Sequence, residues 1–196
     1  MDKQIEIINC DIIYQGFFRL ETYRVRHSLF AGGWSAVLER ELFRRGSCVA
    51  VLLYDPVLDQ VVLIEQFRVG AILQAGPRAW LLEIVAGAIE KGESAEQVAH
   101  REAKEEAGCD ILRLFKINEF YTTPGGASER ITLFCGIVDA SAVGGIHGLA
   151  HEHEDIRVST VSSDEAYRKV ETGEIESGIP IIAIQWLMLH KDELKP

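Results

Sequence analysis

Residues 87–109, GAIEKGESAEQVAHREAKEEAGC, decide the reading of this chain. Ser94 followed by Gln97 forms a capping-box pattern, which predicts a helix starting at Ser94. Gly108 supplies the left-handed stop that glycine adopts without steric cost. At about 100° per residue, Glu102, Glu105 and Glu106 share one arc of about 100°. Ala95, Val98 and Ala99 lie within or beside that arc one or two turns earlier, so the stripe that docks the helix turns into carboxylates in its second half. An ordinary solvated helix face would balance these charges with cations three or four residues away. Glu105 has Arg101 one turn back. The corresponding positions around Glu102 (Val98, Ala99, Glu105, Glu106) and around Glu106 (Glu102, Ala103, Cys109, Asp110) hold no cation. Carboxylates partly withdrawn from water must be paired or must bind a metal. The pattern therefore points to a divalent cation, and a cation held by carboxylates points to phosphate chemistry.

Composition narrows the partners. The chain has 196 residues, 47% hydrophobic and 26% charged, which suits one globular domain with a small accessory piece. Its net charge of −10 argues against nucleic acid and anionic membrane as main partners. An acidic protein acting on a polyanion needs cations in its site, in agreement with the helix. Cys10, Cys48, Cys109 and Cys135 are scattered without a C-x-x-C pair and read as reduced thiols of a cytoplasmic protein. MDKQIEIINC lacks an apolar core of signal-peptide length, and no apolar run is long enough to span a membrane.

Outward from the motif, residues 4–14, 17–29 and 35–44 read as strands of a basic N-terminal segment, 1–45, that carries Arg19, Arg24, Arg26, Arg40, Arg44 and Arg45. From residue 46 to 196 the pattern is that of a main domain. Strands are expected at 48–54, 61–67, 80–86, 115–121, 131–138 and about 156–161. A glycine-rich loop spans 140–154, and helices are expected from Ser163 to near Gly173 and over 179–190. Strands, helix, strands, helices in this order suggest an α/β fold with a mixed sheet between helices.

Further residues carry possible chemistry. Glu152-His153-Glu154-Asp155 closes the glycine-rich loop, and mobile glycines before carboxylates suit a loop that closes over a substrate. A glutamate there can serve as base for water attacking phosphorus. So many carboxylates without cysteine partners favour a hard, oxygen-ligated ion such as Mg²⁺ over zinc. The turn around Gly125 lets backbone N–H groups approach a phosphate or sugar. Phe17 could stack on a base, and Arg68, at the end of a strand, could grip a diphosphate.

Gly87, five residues, Glu93, seven residues, then Arg101-Glu102-Ala103-Lys104-Glu105-Glu106-Ala107-Gly108 resembles the signature of the Nudix hydrolases, with Ala103 and Cys109 as smaller apolar variants. Seven fixed positions at about 7% each make a chance match of order 10⁻⁸ per start site. Nearly the whole chain, from Gly16-Phe17-Phe18 through HGLAHEHEDIRV to IIAIQWLMLH, resembles the ADP-ribose pyrophosphatase branch. The resemblance implies an α/β/α sandwich and a homodimer that exchanges its N-terminal strands. It implies Mg²⁺-dependent (or Mn²⁺-dependent) hydrolysis of ADP-ribose to AMP and ribose 5-phosphate. Glu102, Glu106, Glu154 and the Ala86 carbonyl would bind metal, with Glu105 assisting and Arg101 orienting Glu105. Glu152 would be the general base. Phe17 and Arg40 would hold the adenine side, partly from the partner subunit, with Arg68 at the diphosphate and Glu129 at the terminal ribose. The alternatives are another nucleotide sugar such as GDP-mannose, or a nucleotide-sensing module without catalysis.

Overall fold

Residues 48–54 and 61–67 are apolar on both sides of the strand, a pattern that demands cover on both faces of a sheet. In the computed structural model, which describes residues 2–195, they form β4 (Cys48–Asp55) and β5 (Gln60–Phe67). These two lie at the centre of an eight-stranded sheet. Its order is β10 (Gly145–His147), β11 (Ile156–Ser162), β5, β4, β9 (Arg130–Ile137), β8 (Arg113–Tyr121), with β6 (Trp80–Glu83) paired to β5 and β7 (Val85–Ala88) to β4. Strands β4 and β5 pair only beside their turn, from Leu53 with Val62 to Asp55 with Gln60. Beyond it they part, and the antiparallel pairs β5–β6 and β4–β7 occupy the gap. The single strand expected at 80–86 is therefore two, broken at buried Ile84, because its first half follows β5 and its second half follows β4. This break delivers Ala86 and Gly87 to the site described below.

Alternation assigns the two faces. Val49, Val51, Leu53, Val62 and Ile64 pack in one cluster with Val98, Ala99, Ala103 and Ala107 of α2 (Ala95–Ala107). The intervening Ala50, Leu52, Tyr54, Val61 and Leu63 are equally buried. Helices α3 (Ser163–Glu171) and α4 (Gly178–His190) pack on β4, β5 and β11, which completes a helix–sheet–helix sandwich. The short turn α1 (Ile72–Ala75) lies between β5 and β6, where no apolar periodicity marks it. The loop expected at 140–154 contains β10 and a helical turn, Ala150–Glu152, because residues 145–147 find pairing partners on β11. No described helix is long and apolar enough to cross a membrane.

The sandwich is built from Cys48–Glu119 and the chain from Thr132 onward; residues up to Ser47 form a separate compact unit with Phe120–Ile131. That unit is an antiparallel meander of β1 (Ile5–Gln15), β2 (Arg19–His27) and β3 (Leu38–Arg44). Gly16 turns the chain between β1 and β2 where a Cβ would stand 2.4 Å from the Tyr14 hydroxyl. The segment 120–131 is tied to β3, with Phe43 N–H donating to Gly126 O (2.8 Å) and Ser128 N–H to Phe43 O (3.1 Å). All residues of β1 are exposed. One carboxylate in this unit is buried: Glu21 accepts from Tyr23 Oη (2.9 Å), Arg44 Nη1 (3.1 Å) and Arg19 Nη1 (3.2 Å).

Candidate active site

Helix α2 begins and ends where its sequence dictates. Gln97 N–H donates to Ser94 Oγ (3.2 Å) and Ser94 N–H to Gln97 Oε1 (2.8 Å), which closes the capping box. Gly108, at φ 66°, ends the helix, and Cys109 N–H donates to Ala103 O (2.9 Å). With both ends fixed, the helix has one rotation about its axis. Val98, Ala99, Ala103 and Ala107 enter the core, and Glu106 is buried beside them.

Glu106 is only 3% exposed. Its Oε2 accepts the Ala86 N–H at 2.9 Å. Desolvation pushes its pKa up to about 8; the Ala86 N–H and Arg68 oppose this, while Glu102 and Glu154 add to it. Desolvation likewise raises Glu102 to about 7 against the pull of Arg101, with Glu105 and Glu154 adding repulsion. Four carboxylates thus share one electrostatic field. Gly87 makes room for one of them, since a Cβ there would fall 1.7 Å from Glu102 Oε1.

Arg101 corrects one expectation. Glu102 does have a cation: Arg101 Nη1 donates to Glu102 Oε1 at 2.8 Å and to Glu105 Oε2 at 3.1 Å. The neighbour rule misses the first contact because it counts side chains one turn apart, whereas the long guanidinium folds back over its own next residue. The same group donates through Nε and Nη2 to Glu93 (3.1 and 3.2 Å). Glu93 in turn accepts the Glu90 N–H (3.1 Å). Arg101 therefore ties the motif loop to the helix, while buried Glu106 has no ion pair among the described residues.

The loop after β9 is fastened to the helix. Gly148 N–H donates to Glu105 O (3.3 Å), and the His147 ring lies against Gly108, 2.8 Å from where a Cβ would be. Leu149 N–H donates to Glu154 Oε2 (3.1 Å), and Gly148, at φ +100°, leaves space for Glu154 that a side chain would fill. Between these anchors, the Glu152 side chain is 55% exposed, 3.6 Å from His151 Nε2. At the end of β5, Arg68 Nε donates to Glu83 Oε2 (2.7 Å), and Glu83 Oε1 accepts from Ser177 Oγ (2.9 Å). Sequence reasoning passed over Glu83 and Ser177. The available signal was a lone charge inside the apolar run WLLEIVA.

The structure thus brings Ala86, Arg101, Glu102, Glu105, Glu106 and Glu154 together and holds Arg68 within electrostatic reach of Glu106. Phe17, Arg40, Gly125 and Glu129 belong to the other unit. There Phe17 is 96% exposed with its ring edge-on to Phe18, and exposed Arg40 donates to Glu39 O (2.7 Å). Gly125 lies in the exposed turn before Gly126, and Glu129 pairs with Arg45 Nε (2.7 Å) and accepts from Thr122 Oγ1 (3.0 Å).

Among the described residues, no three Asp, Glu, His or Cys side chains stand in metal-ligating geometry. Each carboxylate instead takes a protein donor: Arg101 for Glu102, Ala86 N–H for Glu106 and Leu149 N–H for Glu154. The donor set nevertheless fits a hard divalent ion, because it consists of clustered, desolvated carboxylate oxygens whose mutual repulsion such an ion would relieve.

A NUDIX domain model matches residues 44–178. The chain belongs to the Nudix family. It is 51% identical over 193 residues to the ADP-ribose pyrophosphatase of Escherichia coli strain K12, covering 98% of this chain and 92% of that protein. It is 45% identical to the ADP-ribose pyrophosphatase of Haemophilus influenzae, covering 98% and 90%. The GDP-mannose pyrophosphatase of Cronobacter sakazakii is more distant, at 34% with 97% and 98% covered. A crystal structure of an ADP compounds hydrolase shares the Nudix fold, with a TM-score of 0.70 at 20% identity over 95% of this chain and 96% of that one. The helix whose carboxylates crowd Ala86 and Gly87 is thus the Nudix motif of a hydrolase.

Proposed function

We propose that this Nudix hydrolase cleaves the diphosphate of ADP-ribose, giving AMP and ribose 5-phosphate, with Mg²⁺ as its cation and Mn²⁺ as a substitute. The observation that carries the reading is the desolvated pair Glu102 and Glu106 in the field of Glu154, with no ion pair on Glu106 among the described residues. It stands in a chain that aligns nearly end to end with ADP-ribose pyrophosphatases at up to 51% identity and with GDP-mannose pyrophosphatases at 34% or less. A divalent cation bound by Glu102, Glu106, Glu154 and the Ala86 carbonyl supplies polarisation of phosphoryl oxygens and a lowered pKa for nearby water. The remaining work belongs to the chain itself. Arg101 holds Glu105 beside the cluster, and Arg68 donates to diphosphate oxygens. Gln66 lies two residues before Arg68 on the same face of the extended chain. It is buried with its Nε2 unpartnered among the described residues, which leaves a donor for an oxygen-rich ligand. Glu152, whose side chain makes no short hydrogen bond among the described residues, takes the proton of the attacking water when its loop closes. Phe17 and Arg40 hold the adenine side, Gly125 lets backbone N–H groups approach, and Glu129 meets the terminal ribose.

The test is a substrate panel with Mg²⁺: ADP-ribose, GDP-mannose, ADP-glucose and a deoxynucleoside triphosphate. AMP released fastest from ADP-ribose supports the reading. A higher kcat/KM for GDP-mannose would reassign the substrate, and no product from any of them would leave a nucleotide-sensing module.

The same reading includes a homodimer built through residues 1–45. Its support is β1, an edge strand with Ile5, Ile7, Ile12, Ile13 and Tyr14 between 55% and 78% exposed on both of its faces. Such an edge is an association surface unless covered. Light scattering of the full chain at micromolar concentration should give twice the chain mass of 21.9 kDa; a monomer would remove the dimer from the proposal. The cytoplasm is the proposed location, and the absence of a disulfide among the four cysteines supports it.

A further inference from the structure

Arg68 is held more firmly than a surface arginine requires. Its N–H donates to Ala79 O (2.8 Å) and its carbonyl accepts from Ala71 N–H (2.9 Å), so its backbone is fixed just past β5. Among the described residues its side chain makes one bond, Nε to Glu83 Oε2 at 2.7 Å. The second oxygen of Glu83 is used as well, accepting Ser177 Oγ at 2.9 Å across 94 residues of sequence.

Two features set this chain of bonds apart from an ordinary ion pair. Ser177 is the N-cap residue of α4, yet its hydroxyl makes no capping bond there. A serine cap stabilises its own helix, and here that hydroxyl is directed to Glu83 instead. The Glu83 side chain is also withdrawn from water, 15% exposed, opposite buried Ile64 in the β5–β6 pair, while the Arg68 side chain is 42% exposed. An exposed ion pair contributes little to stability, which gives little reason to desolvate a carboxylate inside an apolar strand. What the arrangement does achieve is orientation. The carboxylate engages the Nε edge alone, and among the described residues neither terminal NH₂ group of Arg68 has a hydrogen bond. That pair of donors is the part of a guanidinium that meets two phosphate oxygens at once.

We propose that Glu83 and Ser177 are positioning residues: Ser177 Oγ fixes the Glu83 carboxylate, and Glu83 fixes the Arg68 guanidinium so that both its NH₂ groups face the diphosphate of the substrate. The inference rests on the reading of Arg68 as the diphosphate arginine. A misplacement of about 1 Å costs up to about 10²-fold when the group acts through geometry.

The experiment measures ADP-ribose binding by calorimetry in EDTA, where nothing turns over, and then kcat/KM with Mg²⁺. The variants are Glu83→Gln, Ser177→Ala, Ser177→Thr and Arg68→Ala, together with Glu83→Gln combined with Arg68→Ala. Arg68→Ala should weaken binding about 30-fold, Glu83→Gln about 10-fold and Ser177→Ala about 3-fold, with Ser177→Thr near wild type. Adding Glu83→Gln to Arg68→Ala should change the Kd less than about twofold, because the carboxylate acts only through the arginine. A merely structural Glu83 would cost the same factor in both backgrounds, and that result overturns the inference. If Arg68→Ala weakens binding and Glu83→Gln does not, the inference falls alone. If Arg68→Ala binds as wild type, the diphosphate reading falls and takes the inference with it. Should Glu83→Gln unfold, Ser177→Ala decides, since it removes only a hydroxyl at a partly exposed position.

Discussion

Glu21 and Glu106 are both buried carboxylates, one in each unit of the chain, and they are buried in opposite ways. At Glu21 desolvation pushes the pKa up, but bonds from Tyr23, Arg19 and Arg44 outweigh it and hold the carboxyl below its ordinary range. At Glu106 desolvation wins over one backbone N–H, and neighbouring Glu102 and Glu154 add to it, so the pKa rises to about 8. The first carboxylate is complete within the protein and serves the N-terminal sheet. The second has no ion pair among the described residues, so its burial is sustained either by keeping its proton or by a cation from outside the chain. The sign of the imbalance, rather than burial itself, separates a structural acid from a site acid.

The comparison breaks most directly at Glu106. Glu106→Gln should lower kcat by about 10³-fold or more, the scale of several kcal/mol of cation-supplied stabilisation, while circular dichroism shows the fold intact. Near-normal turnover at saturating Mg²⁺ would place Glu106 with Glu21 as a structural acid. The next largest effect is expected at Glu152, which belongs to neither class because it is exposed. Glu152→Gln should reduce kcat by about 10²–10³-fold with KM and metal affinity nearly unchanged, as expected for one acid–base group. Wild-type kcat, or a metal affinity as low as that of the Glu106 variant, would move the base elsewhere.

A smaller loss should follow from crowding the site without touching its charge. In Gly87→Ala the new Cβ must push aside the Glu102 carboxylate, whose Oε1 is 1.7 Å from that position. Since the clash is with the end of a flexible side chain, activity should fall about 10- to 100-fold while the melting temperature barely moves. A large melting shift with intact activity would mean that Gly87 serves packing instead.

The smallest effect is thermal and distinguishes the two acids by slope. Glu102 and Glu106 titrate at about 7 and about 8 in the folded chain, above the ordinary 4.5. Between those limits the folded state binds more protons than the unfolded state, so stability falls as pH rises through the window. Metal-free protein should lose on the order of 10 °C of melting temperature from about pH 5.5 to about pH 8.5. Glu106→Gln should flatten that slope. Glu21 has the opposite sign: its contribution is present above the unfolded pKa and is lost as pH falls through the folded one, so Glu21→Gln should leave the alkaline slope unchanged. Identical slopes for wild type and Glu106→Gln would show that the buried acid carries no such imbalance.

Sequence legibility follows the same division. The start of α2 at its Ser94 cap, its end at Gly108 and the common arc of Glu102, Glu105 and Glu106 were all readable within 23 residues. So were the apolar strands β4 and β5. Helix caps and a 3.6-residue period are local physics, set by hydrogen bonds that never leave the segment. The cation on Glu102 is not legible even at this range, because the fold of one arginine side chain depends on all three of its carboxylate partners. Glu21 gave no signal at all: in a basic stretch with alternating polarity it resembles any other strand glutamate.

By itself, then, the sequence determined a capped helix with a carboxylate face, two strands buried on both sides and the family to which the chain belongs. The tertiary structure alone decided that the strand 80–86 breaks at Ile84 to set Ala86 N–H against Glu106. It also decided that Gly87 clears space for Glu102, and that Ser177 reaches Glu83 across 94 residues. The physical reason is that helix rotation and capping are fixed by neighbours in sequence, whereas desolvation and strand pairing are properties of segments that meet only when the chain is folded.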